Sequence, residues 1–259
     1  MGSSRLVVGG GDAPGFPHHG ASCVTLNVSA GGAPAVLGDI RQAPFPDRSF
    51  DRILFERVPF DLLLDGRSLT EARRLVRAGG FVHLVTGEAV PIGRLLTMVA
   101  VAGFGRVSFR SRGELVCHKA PATAALEAAC SPRTGYLQRA RLVEHHNDLV
   151  AAMAVVSADD NFRLAIRRAP NDLLRYVAAE TAESAQVRIA YLEDPCREVV
   201  VRAILFSRGE AVWQAARVHP DSRVQAAAVS AALLRSTIAA VPPPRPSQAP
   251  PGASPGHCL

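Results

Sequence analysis

The sequence predicts an α/β fold, a mostly parallel sheet with an antiparallel edge hairpin, followed by an all-α domain. Three observations carry this: short apolar strands alternate with helical periods over residues 1–120, strand alternation vanishes from 121 to 241, and seven prolines crowd residues 242–259. With 259 residues, 48% of them hydrophobic, the chain is long enough for substantial cores.

"RLVVGG" (5–10), "CVTLNVS" (23–29) and "AVLGD" (35–39) read as the first three strands. "FDRILFERV" (50–58) reads as the fourth, its Ile53-Leu54-Phe55 run suiting a strand covered on both faces. "SLTEARRLVRAGG" (68–80) predicts a helix capped by Ser68, with Glu71 three residues on, Leu69, Ala72, Leu75 and Val76 on one face, and Gly79 at its end. A fifth strand at 81–87, a helix at 91–104 opened by Pro91 and a hairpin at 106–120 complete this half. In such sheets ligands lie beyond the carboxyl ends of the strands, so Gly9, Gly10, Gly11, Asp12, Ser29, Asp39 and Glu56 should share one rim.

The net charge of +6 is spread through the chain, 14 Lys+Arg against 10 Asp+Glu up to residue 120 and 15 against 13 beyond it. Lys119 is the only lysine, and the arginines form no long basic block, so nucleic acid is not an expected partner. "DPPY" and "NPPY" tetrapeptides are absent after the fourth strand, and Cys196 follows Pro195 but in the helical half. The five cysteines (23, 117, 130, 196, 258) have no metal or redox spacing, and His145-His146 lack the i, i+4 spacing of a zinc pair, so no metal is expected. Without an apolar run of about 18–20 residues or a signal-peptide core, the expected location is the cytoplasm, with no membrane partner.

Residues 5–120 resemble the class I S-adenosylmethionine-dependent methyltransferases. The resemblance rests on "LVVGGGDAPG", "TLNVS", "VLGDIRQAPFPDRSFDRILFERVPF" and "EARRLVRAGGFVHLVTG", four stretches in order and register. It implies a Rossmann-like sheet, S-adenosyl-L-methionine as cofactor, and methyl transfer to an O or N acceptor. By the same resemblance Gly9, Gly10, Gly11, Asp12, Asn27, Ser29, Asp39, Ile40 and Phe55 bind the cofactor, Asp39 taking the adenine amine while Ile40 packs on the ring. Ser29 stands where the family carries an acid for the ribose hydroxyls, a replacement worth about 1–3 kcal/mol of affinity. Asn27, two residues earlier, is a partial substitute.

Glu56 is the candidate catalytic residue, as base or acceptor-orienting group, with a rim carboxylate paired to an arginine as the alternative. Asp51 is expected to fix the "FPDRSF" turn, and His83 to be a hydrogen-bonded core histidine. His18 and His19 either cover the cofactor or form a solvated loop pair.

Slid along itself, the second half matches at an offset of 25, pairing Phe162-Arg163-Leu164-Ala165 with Val187-Arg188-Ile189-Ala190. A further match at 37 pairs Tyr176 with Trp213 and Val187-Arg188 with Val224-Gln225. This resembles leucine-rich-repeat-variant and HEAT-like solenoids, with an ordinary helical bundle as the alternative. A solenoid implies a peptide or protein acceptor, whereas a lid over the sheet implies a small molecule. Arg163, Arg188 and Arg202 are expected as an exposed or ion-paired row. "PPPRP" lies in a tail too poor in apolar residues to form a core, read as disordered or as a polyproline ligand for a partner. The alternative to an enzyme is a non-catalytic, methyltransferase-like interaction protein that binds the cofactor weakly or not at all.

Overall fold

A computed structural model describes residues 4–9, 23–29, 34–56, 58–86, 90–111, 114–121, 123–145 and 148–239. The proline-rich tail, Gly10, Gly11, Asp12, His18, His19 and His146 lie outside the described residues, as does the side chain of His145.

Seven strands form one sheet: β1 (Arg5–Gly9), β2 (Cys23–Asn27), β3 (Val36–Leu37), β4 (Phe50–Glu56), β5 (Val76–Val85), β6 (Arg106–Ser111) and β7 (Glu114–His118). Their order is β3-β2-β1-β4-β5-β7-β6, with β1 to β5 parallel to one another and β7 antiparallel to both β5 and β6. The expected mostly parallel sheet with an antiparallel edge hairpin is present. Alternation along the central strands sends Leu6, Val8, Ile53, Phe55, Val82 and Leu84 into the main core and turns Val7, Leu54 and His83 to the other side. Val7 and Leu54 are also buried, as the continuous apolar runs require.

Several expected boundaries move. The third strand shrinks to two residues because Asp39 turns the chain, its side chain accepting from the Arg41 amide to cap a 3-10 turn over Ile40–Gln42. A short helix not foreseen, α1 (Phe60–Leu64), precedes α2 (Arg67–Leu75). Ser68 does not cap α2; it is wholly buried inside the helix, and Gly66 at φ +74° precedes the first turn. Gly79 does not end a helix either. The chain is already strand from Val76, and residues 76–81 bulge between the pairs Phe50↔Val76 and Arg52↔Phe81. Gly79 takes φ +77° in that bulge, and a Cβ on Gly80 would stand 2.5 Å from the Asp51 carbonyl oxygen. Past β5, α3 (Ile92–Val101) begins after Pro91, as its missing N–H suits, and ends before residue 104.

The second half is helical throughout its described residues: α4 (Ala124–Cys130), α5 (Tyr136–His145), α6 (Asp148–Val156), α7 (Asp160–Ile166), α8 (Asp172–Thr181), α9 (Ala185–Ala190), α10 (Arg197–Leu205), α11 (Glu210–Arg217) and α12 (Ser222–Ala239). One series of helices starts at 148, 172, 197 and 222, steps of 24, 25 and 25; the other starts at 136, 160, 185 and 210, the same steps. Buried positions keep that spacing, Phe162 with Val187 and Val212, and Ile166 with Tyr191 and Ala216. So do the helix starts: Asp159 accepts from the Phe162 amide and Ser184 from the Val187 amide, with Gly209 at the third position. The offset of 25 is therefore the structural register. The match at 37 is not, since it lays Tyr176 of α8 on Trp213 of α11, which belong to different series.

Of the two alternatives for Arg163, Arg188 and Arg202, the exposed row is not found, whereas Arg163 and Arg202 are ion-paired. All three are buried, together with Arg139. Arg163 pairs with Asp160 at 3.1 Å, and Arg202 with Glu180 at 3.2 Å. Arg188 donates to the carbonyls of Ala179, Glu180, Ala182 and Ala203, and Arg139 to those of Ser131, Thr134 and Ala154. The arginine side chains thus complete the hydrogen bonding that helix ends leave open.

The halves share one core, α6 and α8 packing on α3 and α6 also on β6. Glu180 of α8 fastens the junction. Its carboxylate accepts from the Ile92 and Gly93 amides at 3.0 and 2.7 Å, capping the first turn of α3 from the other half of the chain. Arg202 completes the joint by donating to Glu180 and to the Val90 carbonyl while lying over the Tyr176 and Phe206 rings. No helix among the described residues is long and apolar enough to cross a membrane.

Candidate functional site

Strand order reverses between β1 and β4, whose carboxyl ends therefore flank the crevice where ligands of open parallel sheets lie. Gly9 ends β1, paired in register with Glu56 at the end of β4. It adopts φ +92°, and a Cβ there would stand 2.3 Å from the Glu56 carbonyl oxygen, so no other residue fits this close approach of two backbones.

Asn27, the last residue of β2, donates from Nδ2 to the Gly9 carbonyl at 3.0 Å and so braces the end of β1. Ser29 lies two residues past that strand, exposed, its amide 3.4 Å from Asn27 Oδ1. Asp39 follows β3 as the cap of the 3-10 turn and is clamped by Arg41, whose Nη2 donates to Oδ2 at 2.6 Å and whose Nε reaches both carboxylate oxygens. The Arg41 hydrogen bond holds the Asp39 carboxyl below the usual carboxylate range. Ile40 and Phe55, expected against the cofactor, are 2% and 0% exposed and belong to the core. Their side chains are used by packing, and no open face of Ile40 awaits a ring.

Among the described residues at this rim, Glu56 is the polar group left unmatched. The residue is 6% exposed, and its Oε2 is buried without a hydrogen-bond partner. A buried carboxylate oxygen in that state costs free energy until a donor reaches it. Such an acceptor suits an ammonium, amine or hydroxyl proton brought by a ligand. The arginine pairing offered as the alternative for Glu56 leaves Oε2 unaccounted for.

On the strand face shared with Glu56 lies a polar row that the sequence analysis did not assemble. Arg52, two strand steps before Glu56, places Nη2 3.0 Å from His83 Nδ1 and lies over the Phe81 ring. His83 Nε2 is 3.5 Å from Glu114 Oε2 on β7. The expectation of a hydrogen-bonded core histidine holds for His83, and the signal for its neighbours was an arginine just before the apolar run Ile53-Leu54-Phe55. Asp51 stands at the opposite end of β4, accepting from the Ser4 amide at 2.9 Å and from Arg77 at 3.0 Å, so its role is structural but ties the start of β1 and the β5 bulge rather than the turn it was expected to fix. Among the described residues no group of three or more His, Cys, Asp or Glu side chains is placed to hold a metal ion.

The rim thus brings Gly9, Asn27 and Glu56 together, sets Asp39 at the far side under Arg41, and leaves Ser29 in solvent. No protein-family model matches the chain, and no curated protein matches it.

Proposed function

We propose that the protein is an S-adenosyl-L-methionine-dependent methyltransferase with a Rossmann-like cofactor domain and a repeat-built helical domain. The observation that carries this reading is the buried, unpartnered Glu56 Oε2 at the switch point of a sheet ordered 3-2-1-4-5. At the ends of β1 and β4 the group that fits such a ligand is Glu56, an acceptor waiting for a donor, while Gly9 lets the two strand ends close on each other. The bound cofactor supplies a methyl group on a sulfonium already activated for displacement, so the protein's task is chiefly to orient an acceptor. Glu56 takes the proton of an acceptor hydroxyl or amine, or holds that proton in line. The even 24 to 25 residue steps of the helical half favour a solenoid over an irregular bundle and, with it, a peptide or protein acceptor.

A second reading, a non-catalytic interaction protein, is favoured by the rim's other side, where Arg41 already engages both oxygens of Asp39 and Ile40 is buried. Equilibrium dialysis against methyl-labelled S-adenosyl-L-methionine separates the two. The methyltransferase reading predicts saturable binding, which Glu56→Gln leaves within about twofold because Glu56 serves the methyl acceptor. Absence of binding at millimolar cofactor would overturn it in favour of the second reading.

A further inference from the structure

The outer end of the helical half carries a groove of about 450 Å³ between α11 and α12, lined by Trp213, Arg217, Gln225, Val229 and Leu233 among others. Val229 and Leu233 are 63% and 64% exposed, one helical turn apart on the same face of α12. Trp213, 6% exposed, also lines the groove with the Arg235 guanidinium 5.7 Å over its ring, and its indole Nε1, a donor only, is buried without an acceptor. An apolar wall and an unmatched indole N–H ask for an extended apolar ligand with free carbonyls. A polyproline helix is that ligand: it has no internal hydrogen bonds, and aromatic-lined grooves take it by packing on its rings and donating to its carbonyls.

The chain carries such a segment immediately beyond α12, "VPPPRP" at 241–246. We infer that Pro243–Pro246 of the same molecule dock in the α11/α12 groove and accept a hydrogen bond from Trp213. The lengths agree. Six helical residues separate Leu233 from the end of α12 at Ala239, about 9 Å, which three extended residues retrace. Leu233 to Gln225 spans about 12 Å, and four polyproline residues cover the same distance. A docked tract would cover the outermost helices of the stack, the position where repeat arrays need a cap. The inference is independent of methyl transfer at the sheet.

Trp213 is the only tryptophan in the chain, so its indole gives a single N–H resonance in a nitrogen-proton correlation spectrum of the labelled full-length protein. Replacing Pro243, Pro244 and Pro246 together by serine should shift that resonance and speed its exchange with water by about tenfold, the backbone amide spectrum of the helices being otherwise unchanged. A synthetic peptide of residues 241–251 added to the variant should return the resonance toward its original position. An indole signal and exchange rate that ignore the substitutions would overturn the inference. A signal in the unsubstituted protein that moves with protein concentration would overturn it as well, assigning the groove to the segment of a second copy.

Discussion

Glu180→Ala is expected to destabilise the folded protein by about 3–5 kcal/mol, read as a large fall in the urea midpoint. Removing the carboxylate strands three donors at once: the Ile92 amide, the Gly93 amide and the Arg202 guanidinium, the last a charge buried to 4% exposure. Burial pushes the Glu180 carboxyl above its ordinary range, opposed by Arg202 and the two amides, so the group sits in the joint under tension between desolvation and its partners. Glu180→Gln keeps the shape but only one acceptor oxygen, and turns an amide N–H toward donors, so it should recover little. Combining Glu180→Ala with Arg202→Met removes the stranded charge and should recover part of the loss, a coupling that a double-mutant cycle measures. A cost below about 1 kcal/mol for Glu180→Ala would mean that the halves hold together by apolar packing alone.

Arg188→Met should cost about 2–4 kcal/mol, because four carbonyls from the ends of α8 and α10 lose their donor while the methionine fills only the volume. Burial pulls the Arg188 guanidinium down to about 10, with Glu180 and Asp160 pulling the other way, so the residue remains charged at neutral pH. Its loss reaches Glu180 as well, whose own carbonyl is among the four. Denaturant titration followed by circular dichroism reads the change. Equal midpoints for the variant and the parent would show that water replaces the side chain at these helix ends.

Most strands are legible in the sequence because their apolar runs are short and continuous; α-helices separate only β4 from β5 and β5 from β6 among the described residues, so the parallel pairing of β1 to β4 is less plainly written. Boundaries are less legible wherever a residue serves two purposes. Gly79 and Gly80 look like a helix stop but form a bulge against Asp51, a requirement that arises only when β4 and β5 pair. Ser68 has the chemistry of a cap and the position of a core residue. In the helical half the register at 25 is carried by buried side chains of varied size, while the misleading match at 37 rests on two aromatic rings in unlike helices.

Placement at the rim was likewise readable from strand ends, and Gly9, Asn27 and Glu56 do converge there. What each side chain does was not readable. Asp39 is taken up by Arg41, two residues away, because the 3-10 turn folds the guanidinium back on its cap. Ile40 is carried into the core by the same turn. Glu180 gave no local signal, since its partners lie 87 and 88 residues earlier.

Hydrogen exchange of the full-length protein with and without saturating S-adenosyl-L-methionine tests the account most directly. Slower exchange over the ends of β1, β2 and β4 and around Asp39, with helices α6 to α12 unchanged, is the predicted result. Protection confined to the helical half, or none anywhere, would contradict a cofactor site at the carboxyl rim of the sheet.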